Sequence, residues 1–370
     1  MLDPNKLPHL QPQKPESKED QPQEFLLSQI ISAFSSKKGL TYLCCAFVLI
    51  YISLCVQGEH LLRQGVYRVF KELGQEGFGV SYNAPSSYLA YKSGLNLDDL
   101  VVTAPEKMGG WVLKTGRISI SSTPFTPRTV IIKVNGTHSL TTKTIGDIRL
   151  IVGQGDFKLR LPSRKEQLTV SGDLKNIQSA SPKSMAGFSV SDLSLTAALS
   201  QDSADKASVP FTFQADQIHL PAYMAQHLPP VLQTVRLNGT FSDITNDETK
   251  TFLANWMNNS GTAEIKQGEI DWHPFSASFN GTFGLNGSYE LIGAGIAKMQ
   301  GFFTLLDKLQ SGDYLLPRRV SVAKVVLGEQ LKTEKNETTP SLTSSFGFQN
   351  GKIYIGQILL YDNHEKQTEF

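Results

Sequence analysis

Beyond residue 78, apolar and polar positions alternate with a period of two, the pattern of strands that bury one face. The stretches Arg117 to Ser121, Val130 to Leu140, Asp147 to Leu161, Leu168 to Ile177, Phe188 to Leu199 and Pro210 to Leu220 all follow it. The alternation predicts a mainly β protein with a few inserted helices. Three stretches carry a helical stripe instead, at Ala222 to His227, Glu248 to Met257 and Ile296 to Leu309.

The N-G-T triplets at Asn135, Asn238 and Asn280 look at first like hairpin turns, because Asn-Gly is a strong hairpin signal. The flanking phase opposes this. Phe275, Ala277, Phe279, Gly281, Phe283, Leu285, Gly287, Tyr289 and Leu291 alternate without a slip, which predicts one continuing strand with glycines on its apolar face. Leu237, Gly239 and Phe241 repeat the arrangement, as do Val170, Gly172 and Leu174, and Val134 and Gly136 begin it before His138 takes the apolar phase. Glycine on a buried strand face leaves room for a bulky neighbour and lets a long strand bend, so long curved antiparallel sheets are expected. A partial echo of Gly116, Ile118, Pro124, Phe125, Val134, Asn135, Gly136 and Thr137 in Gly268, Ile270, Pro274, Phe275, Phe279, Asn280, Gly281 and Thr282 suggests an internal duplication, about 79–220 and 221–370.

The first 78 residues follow other periods. Leu40 to Val56 is uncharged, and a helix of that length reaches about 25 Å, near the lower limit for spanning a bilayer. Tyr42 and Tyr51 suit the interfaces, and Lys37 and Lys38 flank one end, so residues 39–58 are expected to be a transmembrane anchor. A cleaved signal peptide fits less well: 36 residues precede Lys37 and no small-x-small site follows the run. Leu61, Leu62, Val66, Val69, Phe70 and Leu73 then recur at helical spacing, predicting an amphipathic stalk helix over 59–77 stopped by Gly74 and Gly77. Residues 1–38 are rich in Pro, Gln, Lys and Glu and are expected to be a disordered tail, with a short membrane-proximal helix at Phe25 to Phe34.

Charge and cysteine usage narrow the function classes. The formal net charge is +1, so no field of one sign draws the chain to nucleic acid. Cys44, Cys45 and Cys55 all lie in the apolar run, so nothing downstream forms a disulfide or a Cys-ligated zinc site. The long cysteine-free part behind a short polar tail is read as exported, with the N-terminus cytoplasmic.

No catalytic signature stands up. The seven histidines lack an HExxH, and His219 and His227 have no carboxylate at ligand spacing. Asp271 and His273 share one face of a strand and read as a polar-face pair rather than an acid–base couple. Gly187 to Ser191 lacks the second glycine of a nucleophile elbow, and Gly293-Ala294-Gly295 reads as a strand–helix linker because Lys298 stands where a dinucleotide loop needs glycine. Trp111, Trp256 and Trp272 read as core anchors, and Arg318-Arg319 as a solvated turn. No cofactor, metal or catalytic residue is assigned, and the chain is expected not to be an enzyme.

A single N-terminal anchor and stalk, then Trp111 to Leu113, Gly116 to Ser121, Pro124-Phe125-Thr126-Pro127 and a strand ending in Asn135-Gly136, resemble an alphaproteobacterial envelope family catalogued as domain of unknown function 2125. Gly268 to Phe275, Gly281 to Leu291 and a terminal strand pair, Phe346 to Leu360, with its Asn350-Gly351 turn, also fit. The resemblance implies a single-pass inner-membrane protein whose C-terminal domain, 78–370, faces the periplasm, and it brings no known activity. More loosely, apolar-x-Gly-x-apolar strands behind one anchor are similar to the AsmA-like envelope proteins, whose curved sheets form lipid-accommodating grooves.

Two readings follow. In one, the chain is a non-enzymatic envelope protein that binds or passes lipid along an apolar sheet face, lined by Val235, Leu237, Phe241, Phe275, Phe279, Phe283 and Leu285. In the other, the same residues form a closed core, and the chain is a scaffold for an envelope protein partner. In both, residues 39–58 engage the lipid bilayer.

Overall fold

The structure, a computed structural model, describes residues 37–75, 77–89, 92–106, 110–142, 146–162, 167–179, 187–201, 207–244, 256, 260–286, 290–332 and 340–363. The predicted tail, the helix at Phe25 to Phe34 and all but Trp256 of the helix predicted at Glu248 to Met257 lie outside these residues or end beyond them. The chain divides into two compact units, Met1–Leu54 and Cys55–Phe370.

Helix α1 (Lys37–Gln75) covers the residues expected as anchor and most of those expected as stalk. Its described side chains begin at Phe47, and in the first unit Phe47, Val48, Leu49, Ile50, Ile52 and Leu54 are all exposed. Among the described residues no helix is long and apolar enough to cross a membrane, and Tyr42, Cys44 and Cys45 of the predicted anchor fall outside the described side chains.

In the second unit every described strand joins one antiparallel sheet. Its strands are β1 (Gly79–Ser81), β2 (Ser86–Leu89), β3 (Ser93–Thr103), β4 (Val112–Thr123), β5 (Thr126–Thr142), β6 (Gly146–Arg160), β7 (Leu168–Ser179), β8 (Ser189–Gln201) and β9 (Ala207–His219). After the short helix α2 (Ala222–Ala225) come β10 (Val231–Ile244), β11 (Ala263–Trp272), β12 (Phe275–Leu285) and β13 (Leu291–Gln300). Helices α3 (Phe302–Ser311) and α4 (Pro317–Gly328) precede β14 (Leu331–Lys332), β15 (Ser341–Gln349), β16 (Lys352–Ile355) and β17 (Ile358–Asp362). From β3 to β13 each strand pairs with the next in sequence, so the sheet is a meander whose hydrogen bonds link near neighbours in the chain.

Several boundaries differ from the sequence reading for identifiable reasons. The unbroken alternation from Phe275 to Leu291 hides a hairpin: β12 stops at Leu285, Asn286 accepts from the Glu290 N–H, and Leu291 pairs back with Leu285. Because the turn has an odd number of residues between the paired ends, the pattern stays in phase across it. Ile296 to Gln300 and the segment Gly293-Ala294-Gly295 belong to β13, and helix begins only after Gly301, which has φ 66°. Arg318 and Arg319 lie in the first turn of α4 rather than in a loop, with Pro317 at its N-terminus, where the missing N–H costs nothing. Asn135, Asn238 and Asn280 sit inside strands, as the phase implied, and Asn350-Gly351 is a turn, as the family resemblance implied.

Bulges interrupt the ladders and shift which side chains face inward. Register slips occur at Thr115/Arg117, Lys133/Gly136, Asn238/Gly239 and Ile265/Gly268. At the Lys133/Gly136 slip the Asn135 side chain accepts from the Gly155 N–H at 3.0 Å and satisfies a donor that the ladder leaves over. Asn176 and Gln217 have φ 53° and 52°, and each lets two apolar residues three apart share one face: Leu174 with Ile177, Ala215 with Ile218. The register slips bend strands and increase twist, which curves the sheet.

Glycines on the apolar face lie opposite aromatic rings. Gly172 pairs with Phe157, Gly239 with Phe211, Gly268 with Phe279 and Gly295 with Phe346, and a Cβ at any of these glycines would run into the ring. The missing side chain is filled from the neighbouring strand, an arrangement that offsets the weakness of glycine in strands.

The densest core closes the C-terminal end of the sheet. Phe302 and Leu306 of α3, and Val320, Ala323 and Leu327 of α4, pack on Phe275, Met299, Leu342, Ile355, Ile358 and Leu360. Leu342 and Ala323 have no exposed surface. Leu342→Ala is expected to cost about 2–5 kcal/mol in urea unfolding. Gly268→Val is expected to cost about 1–3 kcal/mol through overpacking, and a double-mutant cycle with Phe279→Ala should show the two sites coupled; strict additivity would mean that the ring does not occupy the glycine's space.

Candidate functional site

Directly opposed residues in an antiparallel pair share a face, so register can be followed across the whole sheet. One row runs through Leu95, Ile120, Ile132 and Phe157 on β3 to β6, then Gly172, Leu195, Phe213, Leu237, Gly268, Phe279 and Ala297 on β7 to β13. Every position in it is apolar or glycine. A parallel row joins Leu174, Leu193, Ala215, Val235, Ile270, Ala277, Met299 and Leu342. A third joins Leu159, Val170, Ala197, Phe211, Gly239, Ile265, Gly281, Gly295 and Phe346.

The opposite face is polar in the same continuous way. Lys133, Asp156, Asp173, Ser194, Gln214, Arg236, Glu269, Ser278 and Lys298 form one of its rows. Lys133 pairs with Asp156 at 3.5 Å and Arg236 with Glu269 at 3.6 Å. A shallow depression of about 220 Å³ on this face, between Ser194, Gln214, Arg236 and Glu269, is smaller than the about 300–1,000 Å³ of small-molecule sites.

The apolar face is covered at both ends, and between them a small buried cluster of Ile177, Val190 and Ala215 stands beside half-buried apolar positions. At the β3 end, Leu95 and Leu97 are 0% and 1% exposed. The Ser93 hydroxyl donates to the Cys55 carbonyl at 2.6 Å, Gly58 leaves space for Ser93, and Arg63 and Glu59 both bond to the Ser87 hydroxyl. At the other end α3 and α4 form the lid already described. Between the two, Ile132, Phe157, Leu195, Phe213, Leu237 and Phe279 are only half-buried. At about 4.8 Å per strand, the stretch from β5 to β12 extends roughly 34 Å.

The residues singled out in the sequence separate into three groups. Val235 and Leu237 lie in the half-buried middle, and Leu237 is joined through Gly268 to Phe279, which packs against the core under α3 and α4. Phe241 and Phe283 occupy a further row through Ala263; Phe241 stacks on Phe211 at 4.6 Å and meets Trp256 edge-on, and Phe283 stacks on Phe346 at 6.0 Å and touches Phe348. Phe275 is buried in the core beneath α3, and Leu285 ends β12 opposite Leu291. Phe157, Leu195, Phe213, Phe346 and Phe348 escaped notice because only strand pairing places them beside the others.

Asp271 is exposed on β11, while His273 stands in the β11–β12 turn with its N–H donating to the Gln233 side chain at 3.2 Å. The indoles of Trp256 and Trp272 donate to the Ser242 and Pro229 carbonyls. Among the described residues no cluster of three or more His, Cys, Asp or Glu could hold a metal ion.

The family described as uncharacterized proteins conserved in bacteria, domain of unknown function 2125, matches residues 59–360. No curated protein and no solved structure gives a significant match. The match spans most of the sequence, and the chain belongs to this family.

His138 stands out on the apolar face. Its imidazole is held below the usual histidine value by burial. On acidification the unfolded chain therefore takes up this proton first, so stability present above about pH 6.5 is lost as pH falls toward the folded value. The urea midpoint is expected to drop between pH 7.5 and 5.5, and His138→Leu should remove that component; an unchanged slope in the variant would mean that other groups carry it.

Proposed function

We propose that this family member is a non-enzymatic, membrane-anchored protein of the bacterial envelope that accommodates lipid acyl chains along the apolar face of its sheet. The observation that carries the reading is the half-buried apolar row crossing β5 to β12. An apolar row of that extent is unusual on a protein that keeps it in water, and such patches mark contacts with lipid or protein. Lipid fits better than a small polar substrate, because the row offers shape and apolarity with few directional groups. The roughly 34 Å run also exceeds one acyl tail, about half of a 30 Å hydrocarbon core, so tails can follow one another along it.

Anchoring belongs to the same proposal. Residues 39–58 insert in the inner membrane, with residues 1–38 cytoplasmic and residues 78–370 periplasmic. The support is the uncharged run Leu40 to Val56 and the exposure of consecutive apolar side chains from Phe47 to Ile50, since a helix that is apolar all round needs lipid or protein about it.

A photoactivatable amino acid placed at Leu195 or Leu237 in the full-length protein, irradiated in cells, tests the binding face. Lipid adducts in mass spectra are expected from these two positions and not from Ser194 or Arg236 on the polar face. Protein adducts without lipid would favour the scaffold, and no difference between the faces would sink the reading. The anchor predicts retention in the membrane pellet after alkaline carbonate.

A further inference from the structure

The apolar face carries one polar interruption that packing does not explain. Thr115 on β4 is directly opposite His138 on β5. His138 is opposite Leu150, which packs on Ile177, Val190 and Ala215, so all of these side chains lie on the apolar side of the sheet. Thr115 and His138 are each 7% exposed, and the Thr115 hydroxyl and His138 Nε2 have no hydrogen-bond partner among the described residues. Leaving a buried polar atom unpaired costs on the order of 1–3 kcal/mol, and here two such atoms are neighbours in register. The backbone around them is specialised as well: the ladder slips between Thr115 and Arg117, and Gly136 has φ 93°.

We propose that Thr115 and His138 form a two-point hydrogen-bonding station that holds one uncharged oxygen, the ester carbonyl of an acyl lipid lying on the apolar face. The proposal rests on the lipid reading given above and assigns the part of the ligand that is recognised. A threonine hydroxyl donates or accepts, and a neutral imidazole donates from Nε2 in one tautomer, so the pair matches a carbonyl with two lone pairs. A charged headgroup is the wrong occupant. The residues opposite the pair are Leu100 and Leu150, and an ion enclosed by apolar side chains would keep a large desolvation penalty. The station therefore positions the ester region and leaves the head to solvent. It also sets where along the sheet a lipid stops, because the middle of the face offers rows without a polar atom to grip.

The test uses the full-length chain in detergent and two probes, dioleoylglycerol labelled with carbon-13 at its carbonyls, and hexadecane, each displacing a fluorescent acyl probe. Wild type is expected to bind both, with the carbonyl resonance shifted on binding and close to the His138 ring. Thr115→Val, which preserves shape, and Thr115→Val with His138→Phe should weaken dioleoylglycerol by roughly tenfold, the effect of losing one or two hydrogen bonds, and leave hexadecane unchanged. If both variants bind dioleoylglycerol as well as wild type does while hexadecane still binds, the two atoms hold water only and the station is refuted with the lipid face intact. If neither probe displaces the fluorophore from wild type, the lipid reading fails and the station with it. Thr115→Val alone decides the matter should the double variant fail to fold.

Discussion

A sheet that is apolar on one face and polar on the other must find cover for the apolar face, and here every described strand lies in the same sheet. There is thus no second sheet among the described residues to supply that cover, as there would be in a sandwich. Curvature and helices do the work instead. Bulges at Lys133/Gly136, Asn238/Gly239 and Ile265/Gly268 bend the ladder, α1 closes one end against Ser93 and Leu95, and α3 with α4 closes the other over Leu342 and Ile355. The middle keeps whatever neither device reaches. That remainder is the half-open surface on which the functional proposal stands.

Glycine–aromatic pairing makes this arrangement tolerable. A strand bends more easily at glycine, yet glycine buries no side chain of its own and loses more chain entropy on folding. Phe157, Phe211, Phe279 and Phe346 recover apolar contact by lying over Gly172, Gly239, Gly268 and Gly295. The same pairing flattens the floor of the face, since each ring lies down into its neighbour's vacated position rather than standing upright. The polar face, with Lys133–Asp156 and Arg236–Glu269, is exposed and contributes solubility more than stability.

Much of this was legible in the sequence, because strand alternation is a local property set by the two-residue repeat of side-chain direction. The β class, the glycines on apolar faces and the mid-strand Asn-Gly sites all came from that repeat. It failed where phase survives a chain reversal, as at Leu285 to Leu291, and where a strand runs straight into a helix, as at Gln300 to Phe302. Helix α4 was missed because its exposed Val322, Val325 and Val326 blur the polar side of its stripe.

Sequence by itself determined which residues of each strand are apolar and therefore which must share a face. Only the tertiary structure decided which strands stand side by side, and so that Leu237 and Phe279 meet across Gly268, that Phe275 lies under a helical lid instead of in the open middle, and that Thr115 faces His138. The physical reason is that cross-strand register comes from hydrogen bonds between segments tens of residues apart, shifted by bulges at single left-handed residues, and neither leaves a periodic trace in the chain.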